Sequence, residues 1–126
     1  MLLAIDLDYF KLVNDRHGHS VGDQLLRFIA DELRRRFRTN DTVARPGGDE
    51  FAVLVVGAEE DRGDDIAREL MKHLDGCRFD PEGRSLPCRA SIGWGPVTAD
   101  TVSADEVLSR ADRAMYEVKS HRRSRP

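Results

Sequence analysis

The feature that most constrains this chain is a short break, Pro46-Gly47-Gly48-Asp49, set between two β-rich segments, 42–45 and 50–56. Proline presets a turn, glycine opens left-handed backbone and aspartate bonds its own main chain, so the two segments are expected to close as a hairpin. The paired glycines, Gly47 and Gly48, also let main-chain N–H groups approach and cradle a phosphate. Two acids, Asp49 and Glu50, follow at once and are candidates for holding a cation. Residues 2–8 read as a buried strand, with Leu3, Ile5 and Leu7 on one face and Ala4, Asp6 and Asp8 on the other. Two carboxylates on one face of a core strand need partners.

The remaining elements follow from periodicity and caps. Ser20 with Asp23 resembles a capping box, and Val21, Leu25, Phe28 or Ile29, Leu33 and Phe37 recur at helical spacing. They predict a helix of about five turns that ends near an arginine cluster, with Asp23 in its first turn. A second helix is expected over 59–74, stopped by Gly76, then an irregular stretch over 77–86 and a strand over 88–94. Ser103 with Glu106 opens a last helix whose Val107, Ala111, Met115 and Val118 share a face. The order β-α-β-β-α-β-α, without internal repeats, points to an α/β (α+β) sandwich of the ferredoxin-like kind, a sheet with helices packed on it.

Length and composition narrow the class further. A chain of 126 residues fits one domain. Its 40% hydrophobic and 34% charged residues suit a soluble globular protein, and no apolar run approaches the roughly 20 residues of a membrane span. Met1 to Ile5 runs straight into Asp6 and Asp8, which is unlike a signal peptide and predicts a cytoplasmic domain. The net charge of −3 gives no broad attraction for nucleic acid. Two basic clusters, Arg34, Arg35, Arg36 and Arg38, then Lys119, Arg122, Arg123 and Arg125, read on their own as solvated helix ends. Cys77 and Cys88 lack CxxC spacing and a histidine pattern, so they are expected to be reduced packing residues rather than a zinc or redox motif. The His17-Gly18-His19 run has no third zinc ligand at a suitable spacing.

Four blocks then make a specific resemblance. They are Asp6-Leu7-Asp8-Tyr9-Phe10-Lys11-Leu12-Val13-Asn14-Asp15, Gly18-His19-Ser20-Val21-Gly22-Asp23, Ala90-Ser91-Ile92-Gly93 and Ala111-Asp112-Arg113-Ala114-Met115-Tyr116-Glu117-Val118-Lys119, with Gly47-Gly48-Asp49-Glu50-Phe51 between the second and third. Together they resemble the GGDEF family, the diguanylate cyclases. The resemblance implies a fold related to class III nucleotide cyclases and polymerase palm domains, and a domain over 1–126. Three departures stand out: the helix and Asp-x-Leu-Thr signature that precede the first strand in the family are missing, Arg122 stands where glycine is usual, and Pro46 precedes the Gly-Gly pair.

The resemblance also implies an activity: condensation of two GTP molecules into cyclic di-GMP with release of two pyrophosphates, each subunit of a homodimer supplying half of the site. Asp6, the backbone carbonyl of Leu7 and Asp49 would hold Mg²⁺ or Mn²⁺, which suits hard oxygen ligands. Asn14 and Asp23 match a guanine-reading pair; a carboxylate accepts from the N1–H and N2–H₂ groups that adenine lacks. Lys11, Lys119 and Arg123 match triphosphate-neutralising positions, His19 a position at the nucleotide pocket, and Asp49 or Glu50 the proton acceptor. Arg38 and Asp41, in Arg38-Thr39-Asn40-Asp41, match an inhibitory site for the cyclic di-GMP product. Outside that resemblance the same two residues read as a local ion pair at a helix end. An upstream sensory domain is expected in the full-length protein. The other reading is a non-catalytic module that binds GTP or cyclic di-GMP and signals through a partner.

Overall fold

A computed structural model describes residues 1–101 and 103–123, without the side chains of Glu82 and Arg123. The expectations on Arg123 and Arg125 lie outside the described side chains. The central strand is β1 (Leu2–Leu7), followed by helices α1 (Phe10–His17) and α2 (His19–Arg36). The hairpin β2 (Thr42–Gly47) and β3 (Glu50–Leu54) comes next, then α3 (Gly63–Asp75), entered through a 3₁₀ turn at Glu60–Arg62. A two-stranded ribbon, β4 (Arg78–Phe79) with β5 (Leu86–Pro87), leads to β6 (Ala90–Gly95) and α4 (Ala104–Arg123). The main sheet has the order β2-β3-β1-β6 and is antiparallel at every pairing.

The alternation along β1 divides the molecule into layers. Leu3, Ile5 and Leu7 join Leu25, Ile29, Leu33, Leu70 and Leu74 in one core beneath α2 and α3. Each such side chain, once buried, contributes about 1.5–3 kcal/mol. Ala4 faces the other way and packs with Ala111 and Met115 of α4. That helix comes very close to β6: a Cβ on Gly93 would lie 2.1 Å from the Met115 amide nitrogen. The small residue there lets α4 lie directly on the sheet, over the face that carries Asp6 and Asp8.

Several local expectations are corrected. The residue pattern predicts no helix before Ser20, yet α1 forms; with Val13 as its only buried residue, eight residues carry too short an apolar stripe to register as a period. Ser20 and Asp23 do not cap α2, which starts at His19 behind Gly18 and has no side-chain cap, so Asp23 falls in the second turn. Gly18 (φ 89°) serves as the junction of both helices, its N–H donating to the Asn14 carbonyl at 2.8 Å. Gly76 does end α3, but in right-handed backbone (φ −84°) rather than left-handed. Within 77–86, expected to be irregular, β4 and β5 pair. The Ser103 cap is present, its Oγ accepting from the Glu106 N–H at 3.1 Å.

Candidate active site

The register of the sheet sets two acids side by side. Asp6 on β1 pairs directly with Glu50 on β3, and on its other side with Ser91 of β6. Like charges directly opposite on one sheet face repel. Helix α4 lies over this face and brings Lys119, whose Nζ is 2.8 Å from Asp6 Oδ2, and Asp112, a third acid beside Glu50. Burial above all, then the Asp112 carboxyl, pushes Glu50 up to about 7. Burial likewise raises Asp6, against the pull of Lys119 and with the help of Asp49. Asp6 Oδ1, Glu50 Oε1 and Asp112 Oδ1 are buried without a hydrogen-bond partner. A site with this surplus of hard oxygen suits a divalent cation such as Mg²⁺.

The hairpin tip reaches the same place. Gly48 (φ 46°) and Asp49 make the two-residue turn, stabilised by the Arg45 Nε donating to the Gly48 carbonyl at 2.9 Å. The Leu7 N–H donates to the Asp49 carbonyl at 3.3 Å, which ties the turn to the end of β1. Apart from the adjoining residues, nothing lies within 4 Å of a Cβ built on Gly47 or Gly48, so that side of the turn is open to a ligand. Leu7, Lys11, Asp49 and Lys119 line one pocket of about 470 Å³, with Asp8, Arg89 and Arg122 on its wall.

Two arginines there are braced rather than free. Asp8 accepts from Ser91 Oγ at 2.9 Å and Arg89 Nε at 3.2 Å. Arg122 bonds both oxygens of Asp75 at 3.0 and 3.2 Å and also the Ala90 carbonyl. The residue that replaces the usual glycine thus ties α4 to the end of α3.

Asn14 and Asp23 are not gathered into this pocket. Asn14, on α1, has a buried Oδ1 without a partner. It sits so close to α2 that a Cβ on Gly22 would be 1.8 Å from that oxygen. Only glycine at 22 permits this packing, which sets Asn14 against the residue next to Asp23. Asp23 itself is exposed and opens, with Arg27, Arg45 and Phe51, onto a second pocket of about 510 Å³. His19 is exposed at the first position of α2, and it is His17 rather than His19 that contacts Arg84, at 3.4 Å.

Arg38 and Asp41 stand at the far end of α2. Both Asp41 oxygens accept main-chain N–H groups, from Arg38 at 3.0 Å and Val56 at 2.9 Å, and its side chain is only 2% exposed. The Arg38 guanidinium is 71% exposed and donates to the Val56 carbonyl at 2.7 Å. Sequence reasoning missed Asp112, Gly22 and the Asp8 network. Asp112 and Gly22 stand inside the segments 111–119 and 18–23, yet nothing local marks either as a site residue.

Residues 1–125 match the family described as "Diguanylate cyclase, GGDEF domain". The chain belongs to this family. It is 37% identical over 127 residues to the diguanylate cyclase DgcP of Pseudomonas aeruginosa, a match covering 99% of this chain and 18% of that protein. Among solved structures, a sensory box/GGDEF family protein from Caulobacter crescentus superposes with a TM-score of 0.84 at 33% identity, over 95% of this chain and 78% of the other. The GGDEF domain of DgcB from the same organism, solved in complex with c-di-GMP, gives 0.81 at 27% identity, over 95% and 71% of the two chains. This GGDEF domain spans 18–33% of the length of the first two curated relatives it matches. Among its described residues no helix is long and apolar enough to cross a membrane.

Proposed function

We propose that this GGDEF domain is a diguanylate cyclase, condensing two GTP molecules into cyclic di-GMP and two pyrophosphates. The observation that carries the reading is the crowding of Asp6, Glu50 and Asp112, whose three unpartnered buried oxygens outnumber the single ammonium that serves them. In this reading Asp6, the Leu7 carbonyl and Asp49 would hold Mg²⁺ or Mn²⁺. Bound there, the ion would ease deprotonation of a 3′-hydroxyl and neutralise charge on the phosphates.

The rest falls to the chain. The Gly47 and Gly48 amides cradle phosphate, and Lys11, Lys119 and Arg123 oppose the triphosphate charge. Lys119 is bonded to Asp6 here, and a cation held by Asp6 would free its ammonium for that task. Asn14 and Asp23 read guanine, and His19 borders the nucleotide. Asp49 or Glu50 takes the proton of the attacking 3′-hydroxyl. Each hydroxyl forms a bond to the α-phosphorus of the other GTP while the bond to pyrophosphate breaks, so two attacks close the ring and two domains must face each other. An upstream domain would set how often they meet.

Product control is assigned to Arg38, with Asp41 as the residue that shapes the loop. Its support is the division of labour between the two: Asp41 is committed to main-chain N–H groups, whereas the Arg38 guanidinium, held by one bond to the Val56 carbonyl, is largely exposed. An exposed guanidinium offers paired donors to a phosphate or a guanine edge. Incubation with GTP and Mg²⁺, followed by separation of the products, tests the activity. Cyclic di-GMP from GTP and nothing from ATP is expected, whereas GTP binding without turnover would leave a non-catalytic binding module.

A further inference from the structure

Away from the carboxylate pocket, three residues of different donor type converge between α2 and the end of α3. His73 Nε2 lies 3.2 Å from Glu32 Oε2 and 3.8 Å from Cys77 Sγ. Among the described residues this is the one group of three histidine, cysteine or acidic side chains whose ligand atoms all lie within 4.8 Å of one another. All three side chains are partly buried.

Hydrogen bonding serves the three unequally: Glu32 has Arg35 on one oxygen and His73 on the other, while Cys77 has only the 3.8 Å contact with His73. A neutral imidazole nitrogen either carries a hydrogen or offers a lone pair. Nε2 can donate to the Glu32 carboxylate or accept from the Cys77 thiol, but it cannot do both. A cation between the three gives every one of them a partner.

We propose that Glu32, His73 and Cys77 form a zinc site, with water as the fourth ligand. The two separations measured from His73 Nε2 suit it, and the third pair of ligand atoms lies within 4.8 Å. Tetrahedral zinc with ordinary bond lengths separates a nitrogen from an oxygen ligand by about 3.4 Å and from a sulfur ligand by about 3.6 Å, close to the 3.2 and 3.8 Å found here. Mixed nitrogen, oxygen and sulfur donors select zinc over magnesium, which demands oxygen. The second Glu32 oxygen accepts from Arg35 Nη2 at 3.2 Å, the kind of outer contact that fixes a ligating carboxylate. Cys77 would ligate as thiolate, so binding releases its proton and tightens as pH rises. Cys88, buried and pushed up to about 11, is not a member of the group. Bound zinc would tie α2 to the end of α3, the two helices that cover the larger core.

The test is a Co²⁺ titration of the untagged chain in excess Mg²⁺, which keeps oxygen sites filled. One equivalent of Co²⁺ is expected to produce a thiolate-to-cobalt charge-transfer band and the strong visible bands of tetrahedral cobalt, both removed by one equivalent of Zn²⁺. Cys77→Ser is expected to lose the charge-transfer band, and Arg35→Ala to weaken binding by about 10–100-fold. A parent protein that gives no sulfur-to-cobalt band overturns the proposal, whatever the variants do. So does a Cys77→Ser protein that keeps the band.

Discussion

The ammonium of Lys119, on the last helix, lies 2.8 Å from Oδ2 of Asp6, on the central strand 113 positions earlier. Their side chains are 11% and 16% exposed, so the pair sits in surroundings where a lone charge is costly. Lys119→Met leaves Asp6 opposite Glu50 without a cation. The expected loss of stability is about 1–3 kcal/mol by denaturant unfolding in chelator. Millimolar Mg²⁺ is expected to restore part of it, and an equal loss with and without Mg²⁺ contradicts the link between the lysine and a cation site.

Asp112 is the acid that the sequence does not single out. Asp112→Asn removes a like charge beside Glu50 and is expected to stabilise the chain in chelator by up to about 1 kcal/mol. The same variant should gain less thermal stability from Mg²⁺ than the parent does. Thermal unfolding with and without Mg²⁺ reads both effects, and a variant less stable than the parent in chelator would assign Asp112 a purely structural bond.

Gly22→Ala tests the packing that holds Asn14. The new methyl would overlap the Asn14 oxygen, whose distance from the built Cβ is 1.8 Å. Relief by shifting α1 against α2 is expected to cost about 1–3 kcal/mol. It should also weaken GTP binding about as much as Asn14→Ala does, with GTP preference over ATP reduced in both. Calorimetry with each nucleotide decides it; unchanged GTP affinity in a folded Gly22→Ala protein removes Asn14 from the guanine site.

Arg38 and Asp41 are separable by their different bonding. Arg38→Ala is expected to leave initial turnover and folding nearly unchanged while abolishing high-affinity cyclic di-GMP binding and product inhibition. Asp41→Ala strips the acceptor from two main-chain N–H groups and is expected to cost about 1–3 kcal/mol of stability as well. Inhibition in the parent should be non-competitive with GTP, since the two ligands would occupy different places. Equal cyclic di-GMP affinity in the Arg38→Ala variant and the parent puts the inhibitory site elsewhere.

How far the sequence carries these conclusions depends on the range of each interaction. The alternation of Leu3, Ile5 and Leu7 with Ala4, Asp6 and Asp8 announces β1 and its two faces, and the Gly47-Gly48 turn announces the hairpin, because both are local. That Asp6 pairs with Glu50 is a matter of register, settled only when β3 docks on β1. Asp112 and Lys119 join them through the close approach of α4 at Gly93, which is a property of tertiary packing. The Arg38–Asp41 pair is legible as a local contact, but the Val56 main chain that immobilises Asp41 is not. His73 and Cys77 stand one helical turn apart in plain view; Glu32, from another helix, is what makes them a cluster. Helix α1 was hidden for the opposite reason, its single buried residue giving periodicity nothing to repeat.

The central claim is that the acids at the junction of β1 and the hairpin serve a cation-dependent cyclase. Its most direct test is product formation from GTP and Mg²⁺ by the parent chain and by Asp6→Asn, with pyrophosphate counted against cyclic di-GMP. The parent is expected to release two pyrophosphates for each cyclic di-GMP, and the folded Asp6→Asn protein to form neither. A folded parent that binds GTP and releases no product, or an Asp6→Asn protein as active as the parent, contradicts the account.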